Sequence, residues 1–388
     1  MKKRKFKIRI ESIIGVLALI AIVAAWFIGD SKKQADLRPH FNKLIPGVQE
    51  FKTISEDMCI PIIESNPDST VYISLATAHG YGGELRVVVL VNPEGEVQDF
   101  AVIDHKETHS FFNKVMHGKI VHSLKKTSHL SNFDLGQEID GISGATYTSE
   151  ALSTALGKAV KNIAENELEM AMAWEEDTQI IFGNKEILLI VLFILGLLFS
   201  YKVFPDKKFL QYSFLVFGMI SLGFYYNGLL SITIINKFVL GMWPGLGSDF
   251  YGYLLIGGVI LLIIFSGKNI YCSHVCPFGS AQKCLGLIGG TNKTFPAKLN
   301  KPLIWVQRML ALFLVLWALI AVNPSVFSYE VFGAFFQLYG TTLQFSILIV
   351  ILILSLFFRK PWCNYLCPVR PVLDFIKMIR NKVIKLVK

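Results

Sequence analysis

The sequence predicts an α-helical polytopic membrane domain with six spans, joined to an extracytoplasmic α/β domain. Of the 388 residues, 53% are hydrophobic and the mean hydropathy is +0.49, more apolar than a soluble domain of this length. The apolar residues fall into runs of about 18 to 21, close to the length that crosses a hydrocarbon core of roughly 30 Å. The charged residues are distributed just as unevenly, and both observations predict one membrane part and one soluble part.

The charge distribution identifies the soluble part. Residues 30–186 hold 14 Lys and Arg against 24 Asp and Glu, whereas the rest of the chain holds 24 against 5. A nucleic-acid binder is therefore not indicated, although the net charge is +9. The split favours an acidic soluble domain attached to a membrane domain with basic edges.

The apolar runs give the predicted spans. A cleaved signal peptide is the alternative for the first run, but residues 26–30 offer no small-residue cleavage site, which favours an uncleaved anchor over residues 1–29. The shorter segment 229–243 contains Asn236 and Lys237, so we expect it to be interfacial or re-entrant. The five further spans are 187–204, 209–226, 250–267, 302–322 and 341–358, and together they make a five-span membrane domain over 187–358.

Basic residues set the expected orientation. If the N-terminus lies in the cytoplasm, the loops at 202–208 and 268–301 and the tail at 359–388 lie there too. These segments and the N-terminus hold 22 basic residues. The sequence thus predicts a multi-pass protein of the cytoplasmic (inner) membrane with both termini in the cytoplasm and residues 30–180 outside.

Within the soluble domain, three strands and one helix are predicted. The segments 71–78, 84–91 and 97–104 are rich in Val, Ile and Leu and are separated by turn signals. Apolar residues then recur at spacings of three and four from Ser149 to about Trp174, with Ser149 as the expected N-cap.

A loop of small residues precedes that helix. It runs from Asp140 through Gly141, Ser143, Gly144, Ala145, Thr146 and Thr148 to Ser149. Backbone N–H groups at a helix start suit a phosphate, and glycines permit its close approach. An ordinary turn with a helix cap is the alternative that the spacing leaves open.

These residues resemble the flavinylation motif of FMN-binding domains in sodium-pumping and ferredoxin-linked membrane respiratory complexes. The resemblance implies FMN bound covalently, as a phosphoester to Thr146, by a flavin transferase that works outside the cytoplasm. After Glu107-Thr108 that family has Pro-Gly-Leu-Gly, whereas this chain has residues 109–112 as His-Ser-Phe-Phe. The other FMN contacts that the resemblance implies are Asp140, Gly141, Ser143, Gly144, Ala145, Thr148, Glu107 and Thr108.

Two cysteine motifs follow the fourth and sixth predicted spans. Cys272 and Cys276 precede Pro277, and Cys363 and Cys367 stand in the same arrangement before a proline. Four thiolates on one side of the membrane suit an iron–sulfur cluster, and the reducing cytoplasm disfavours disulfides. Structural zinc and packed, unreactive thiols are the alternatives.

The combination of an external flavin domain, several spans and two such motifs resembles the NosR-type membrane flavoproteins. The short form is similar to the reductive-dehalogenation accessory branch (RdhC/PceC type). This resemblance implies an electron-transfer component of anaerobic respiration, linking a quinol or cytoplasmic donor to an extracytoplasmic reductase. A redox-sensing regulator or maturation factor is the alternative. The expected partners are membrane lipid, the flavin transferase, the reductase and a quinone, without nucleic acid.

Two features depend on contacts between distant segments: the polar residues in the fifth predicted span and the separation of the two expected cofactors. Gln307 and Arg308 lie near the start of the fifth predicted span, where Arg308 either snorkels to the interface or contacts a quinone. An external FMN and a cytoplasmic cluster would also be separated by about 30 Å of hydrocarbon. A quinone, a further subunit or close approach of the two parts must connect them.

Overall fold

The computed structural model describes residues 2–30, 50–55, 58–62, 71–175, 180, 182–203, 208–247, 249–290, 293–325 and 329–387. Helix α1, Lys2–Asp30, contains the predicted N-terminal anchor. The start of the predicted soluble domain, at 31–49, and the middle of the predicted basic loop, at 204–207, lie outside the described residues.

The predicted soluble part contains a five-stranded antiparallel sheet in which the strands lie in chain order. The predictions of strands near 71–78, 84–91 and 97–104 agree with β3 to β5, whereas β1 and β2 were not predicted. Both of those strands are short, and β2 contains Pro61, which is uncommon inside a sheet. The strands are β1 Glu50–Ser55, β2 Met58–Ile62, β3 Tyr72–His79, β4 Glu84–Val91 and β5 Val97–His105.

The core of this domain lies between β4 and a long helix, α4. In β4, Leu85, Val87 and Val89 are fully buried, and each such side chain stabilises the fold by about 1.5–3 kcal/mol. Leu152 and Leu156 of α4 pack into the same cluster. The helices of the soluble part are α2 His109–Met116, α3 Ile120–Leu124 and α4 Thr146–Asn166.

The predicted bounds of α4 are wrong at both ends. The helix begins at Thr146 and ends at Asn166. Ser149 is therefore inside the first turn rather than at the N-cap, and its Oγ accepts a hydrogen bond from the Ile142 N–H at 3.1 Å. Because this bond ties the preceding loop to the helix, the helical backbone starts earlier than the apolar periodicity indicates.

The rest of the described chain is helical. The elements are α5 Asn184–Ser200, α6 Lys208–Gly218 followed by a π-helical segment Met219–Tyr225, α7 Ile232–Val239, α8 Phe250–Ser266, a π-helical segment Tyr271–Val275, α9 Pro277–Ile288, α10 Ala297–Ala321, α11 Phe332–Phe336, α12 Thr342–Phe357, α13 Pro361–Tyr365 and α14 Val369–Val387.

Among the described residues, one helical stretch is long and apolar enough to cross a membrane, Lys298–Ala321. The shorter apolar helices are Ile14–Gly29, Phe209–Tyr225, Phe250–Ser266 and Thr342–Phe357. A helix of 17 residues reaches about 26 Å at about 1.5 Å per residue, which is less than a core of roughly 30 Å. The helical remainder is thus established, while the count of six spans stays a prediction.

The segment 229–243 joins the soluble and helical parts. Lys237 in α7 is 3% exposed, and its Nζ donates to the Gly80 carbonyl, which precedes β4, at 2.7 Å. Its Nζ also lies 3.7 Å from Asp249. Ser231, just before α7, accepts a hydrogen bond from the Tyr81 hydroxyl at 2.8 Å. Lys237, one of the two polar residues that make this segment a poor span, therefore binds the predicted soluble domain, whereas Asn236 donates to the Pro324 carbonyl of the helical part.

Candidate functional site

The loop before α4 has the geometry of an anion-binding turn. Gly144 has φ +78°, a left-handed conformation that glycine adopts without strain. Thr146 is the first residue of a 21-residue helix, and its side chain is exposed. The first N–H groups of a helix lack intrahelical partners and carry its positive dipole end, so the Thr146 hydroxyl stands where a phosphate is stabilised.

Glu107 fixes this loop from behind. Its Oε2 accepts a 2.6 Å hydrogen bond from the Thr148 hydroxyl, and its Oε1 accepts a 2.8 Å bond from the Gly82 N–H. Burial raises the pKa of this carboxyl, and the two hydrogen bonds partly oppose that effect. A Cβ at Gly80 would clash with Glu107 Oε1, so this position favours glycine. Glu107 thus links the turn at 80–83 to the loop before α4.

A cavity of about 750 Å³ opens between this loop and the helical part. Its volume lies in the range of about 300–1,000 Å³ that is usual for small-molecule sites. The loop contributes one wall: Ser143, Gly144, Ala145, Thr146 and Thr148, joined by Glu107 and Thr108. Asp140 and Gly141, which were also predicted to contact FMN, are not among the lining residues. The opposite wall is Phe224, Tyr225, Tyr226, Phe332, Phe336 and Tyr339.

Charged groups of two kinds line the same cavity. Lys114 donates to the Ser143 carbonyl at 2.7 Å and places a positive charge beside the loop. Lys185 is hydrogen-bonded to the Tyr147 hydroxyl, and burial lowers its pKa. Glu330 is 5% exposed and burial raises its pKa to about 8, although its Oε1 accepts a hydrogen bond from the Ile232 N–H at 3.0 Å. These side chains were not predicted from the sequence.

The side chains and backbone groups that line this cavity have the chemistry that a flavin mononucleotide needs. The helix start, the left-handed glycine and Lys114 suit its phosphate, and the aromatic wall suits a flat ring system. Phe111, which stands where the resembled family has its Pro-Gly-Leu-Gly segment, is itself a lining residue. The departure from the family's sequence thus replaces a glycine-rich segment by an aromatic side chain at the cavity.

The two cysteine motifs lie against one core in the helical part. Cys363 and Cys367 are buried, and Cys272 and Cys276 pack against the same cluster of side chains. The two motifs share a local geometry: the N–H of Cys276 donates to the Tyr271 carbonyl, and that of Cys367 to the Trp362 carbonyl, each at 2.8 Å. A helix begins directly after each motif, α9 at Pro277 and α14 at Val369.

Two glutamines support the second cysteine motif. Gln282 donates to the Cys363 Sγ at 3.3 Å, and its Oε1 accepts from the Trp362 N–H at 3.0 Å. Gln307 is 4% exposed and donates to the carbonyls of Cys363 and Cys367 at 3.1 and 2.8 Å. Gln307, which the sequence marked only as polar in a span, therefore supports the second cysteine motif. Its neighbour Arg308 lies over the Trp305 ring, 5.2 Å from the centroid.

The surroundings of the thiols suit an anionic iron–sulfur cluster. Among the described residues, the buried Trp362 Nε1, Asn269 Nδ2 and His274 Nδ1 have no hydrogen-bond partner within the chain. Trp362 and Asn269 offer N–H donors, and His274 offers one in the tautomer that carries the proton on Nδ1. Cluster sulfurs accept hydrogen bonds from such groups, and these bonds tune the cluster's potential. No group of three or more His, Cys, Asp or Glu placed to hold a single metal ion occurs in the described part of the chain.

Known protein families match both the region of the loop before α4 and the region of the cysteine motifs. Residues 80–161 match the FMN-binding domain family, and residues 248–296 and 342–386 match the 4Fe-4S binding domain family. The first match contains the loop before α4, and the second contains both cysteine motifs.

Individual relatives share parts of the chain. The regulatory protein NosR of Pseudomonas aeruginosa is 25% identical over 41% of this chain and 24% of its own length. A component of the proton-translocating ferredoxin:NAD(+) oxidoreductase complex of Clostridium ljungdahlii is 30% identical over 24% of this chain and 52% of its own. The methylamine utilization ferredoxin-type protein MauN of Paracoccus denitrificans is 32% identical over 37% and 50%. The chain thus spans about half or less of these relatives.

The geometry and the comparisons agree on two cofactor regions in one chain. The reductive-dehalogenation branch suggested by the sequence is not among these findings, which support the broader group. The protein combines an FMN-binding domain with a 4Fe-4S binding domain and is homologous to NosR, NirI and YccM.

Proposed function

We propose that this protein is a membrane electron-transfer flavoprotein. It carries FMN as a phosphoester on Thr146 and an iron–sulfur cluster on Cys272, Cys276, Cys363 and Cys367. Electrons from a quinol or cytoplasmic donor enter at the cysteines and leave from the flavin to an extracytoplasmic reductase. The family matches support this proposal, and so do the names of two relatives, the component of the ferredoxin:NAD(+) oxidoreductase complex and MauN.

The observation that carries the proposal is the short path between the two regions. Phe332 and Phe336 line the flavin cavity, and their ring centroids lie 5.6 and 6.4 Å from that of Phe278. Phe278 follows Cys276 by two residues, and its ring centroid is 6.1 Å from that of Trp362, the neighbour of Cys363. Packed side chains therefore connect the cavity to both cysteine motifs.

This path supports one answer to the question of how electrons pass between the two regions. Segments between the predicted spans, at 229–231 and 329–337, pack directly against the cysteine region: the Leu230 N–H donates to the Tyr271 hydroxyl at 2.8 Å, and the Tyr329 hydroxyl donates to the Leu366 carbonyl at 2.6 Å. Of the three connections considered, close approach of the two parts is the one that this packing favours.

The cavity residues have distinct roles in the proposal. FMN supplies one- and two-electron redox chemistry when bound. Lys114 and the start of α4 offset the charge of its phosphate, and the link to Thr146 prevents its loss outside the cell. Glu330, with a pKa of about 8, holds a proton at neutral pH at the wall of the cavity. The aromatic wall excludes water from the ring.

We also propose the topology that the charge distribution favours: six spans in the cytoplasmic membrane, both termini in the cytoplasm and the FMN domain outside. The shorter apolar helices support it because they coincide with four of the predicted spans. The anchor at 1–29, the soluble domain at 30–180, the membrane domain at 187–358 and the tail at 359–388 are its parts.

A second candidate is a redox-sensing regulator or maturation factor. The name of the relative NosR, a regulatory protein, favours it. The two candidates differ in turnover: a conduit oxidises and reduces its flavin continuously in membrane vesicles when donor and acceptor are present, whereas a sensor or assembly factor does not.

The test of the flavin site is in-gel fluorescence of denatured protein expressed with a flavin transferase. We expect fluorescence in the wild type and in Thr154→Ala, a matched control on α4 outside the cavity, and none in Thr146→Ala. Equal fluorescence in Thr146→Ala would show that FMN is attached elsewhere. A wild type without covalent fluorescence would remove the flavin from the proposal.

A further inference from the structure

A second cavity, of about 640 Å³, lies against the cysteine motifs and shares no lining residue with the cavity beside Thr146. Cys272 and Cys363 line it, and Cys272 is partly exposed. Six basic side chains and one carboxylate, Asp374, face the same cavity. The basic residues are Lys268, Lys283, Arg359, Lys360, Arg370 and Lys377.

Three of the cations hold the cysteine segments. Lys283 donates to the Ser273 carbonyl at 2.6 Å, Lys360 to the Cys272 carbonyl at 3.2 Å and Arg370 to the Cys363 carbonyl at 3.3 Å. These three side chains lie close enough to the thiols to offset the charge of a cysteine-bound cluster.

The other three cations extend the positive surface outward. Lys268 and Arg359 are exposed, and Lys377 lies two turns into α14. Asp374 is already 3.7 Å from Arg370, so it does not balance this outer group. A net positive surface thus surrounds the point at which Cys272 reaches solvent.

This arrangement favours a protein over a lipid headgroup as the occupant. One or two of these cations at the membrane surface would be enough to bind a lipid phosphate. Such binding would not require an approach to a thiol. A redox protein needs both a charged surface that orients it and a short approach to the cluster, and the cavity offers the two together. Complementary charge of this kind accelerates and orients encounter between proteins.

We infer that the surface formed by Lys268, Arg359 and Lys377 around this cavity is the docking site of an acidic electron-carrier protein. The inference rests on the proposed function. The exchange is one electron: the carrier loses it, the cysteine-bound centre gains it, and no bond or proton is transferred. The surface therefore selects a carrier with a negatively charged face.

The test compares two reductants of opposite charge on purified full-length protein in stopped flow. The probes are a reduced acidic ferredoxin and the cationic methyl viologen radical. Lys268→Glu, Arg359→Glu and Lys377→Glu are combined in one variant. The matched control combines Lys298→Glu, Lys301→Glu and Lys382→Glu, which change charge equally but do not line the cavity.

We expect the cavity variant to slow reduction by ferredoxin about tenfold or more at low ionic strength, a loss that shrinks in about 0.5 M salt, because electrostatic steering raises association rates about 10- to 10³-fold. Its reduction by methyl viologen is expected to stay equal or become faster, and the control to resemble wild type. Equal ferredoxin rates in both variants would overturn the inference. The same measurement is repeated with the protein in vesicles that contain anionic lipid. A slower reduction by ferredoxin that appears only in those vesicles would also overturn the inference, because it would assign the surface to lipid. Failure of both reductants on wild type would instead refute the proposed function.

Discussion

The burial of Glu330 predicts how the free energy of unfolding changes with pH, and by how much. The carboxyl is 5% exposed, and its pKa is raised from the ordinary 4.5 to about 8 because burial disfavours the charged form. In a pH-linked equilibrium, a group that binds its proton more tightly when folded stabilises the protein at low pH. That contribution is complete below about 4.5 and is lost as the pH rises through about 8. At about 1.36 kcal/mol for each pKa unit, the loss is up to about 5 kcal/mol.

The variant Glu330→Gln removes the titration while keeping a neutral side chain of similar shape. We expect it to unfold at a higher temperature than wild type at about pH 8.5 and to match it at about pH 4, below the ordinary pKa of the carboxyl, as measured by thermal unfolding in detergent. Glu94→Gln, which changes an exposed carboxyl, is the matched control and is expected to follow wild type at both pH values. Parallel pH curves for wild type and Glu330→Gln would refute the assignment of a neutral carboxyl to this wall.

Two further predictions concern the cysteine region and the joint between the two parts. Cys363→Ser is expected to lose the bound iron and the electron paramagnetic resonance signal of the reduced cluster. The control Cys284→Ser, outside the motifs, is expected to keep both. Retention of the signal in Cys363→Ser would exclude Cys363 as a ligand. Lys237→Met is expected to destabilise the protein by about 3–5 kcal/mol, because it removes the buried cation from its pair with the partly exposed Asp249. Lys161→Met, which breaks a more exposed pair, is expected to cost at most about 1 kcal/mol. Thermal unfolding measures both, and equal effects would contradict the buried role of Lys237.

The sequence alone predicted the features whose residue pattern lies within one short segment. The apolar runs of β3 to β5 and the paired Cys-x-x-x-Cys-Pro motifs are each contained within a few residues. The comparisons with known proteins place an FMN-binding domain over β4 and β5 and a 4Fe-4S binding domain over the cysteine motifs. The start of α4 was misplaced because the Ser149 hydroxyl bonds back to Ile142, a contact that apolar periodicity does not report.

What the sequence by itself determined is the separation of an acidic segment from a basic-edged apolar part, the loop at Thr146 and the four motif cysteines, because composition and spacing are local properties. Only the tertiary structure decided what surrounds them. Glu330 reaches Ile232 across 98 residues, and Gln307 reaches Cys363 across 56. Contacts at such separations depend on how helices pack, and they bring the cavity beside Thr146 and the cysteine motifs to the same cluster of aromatic side chains.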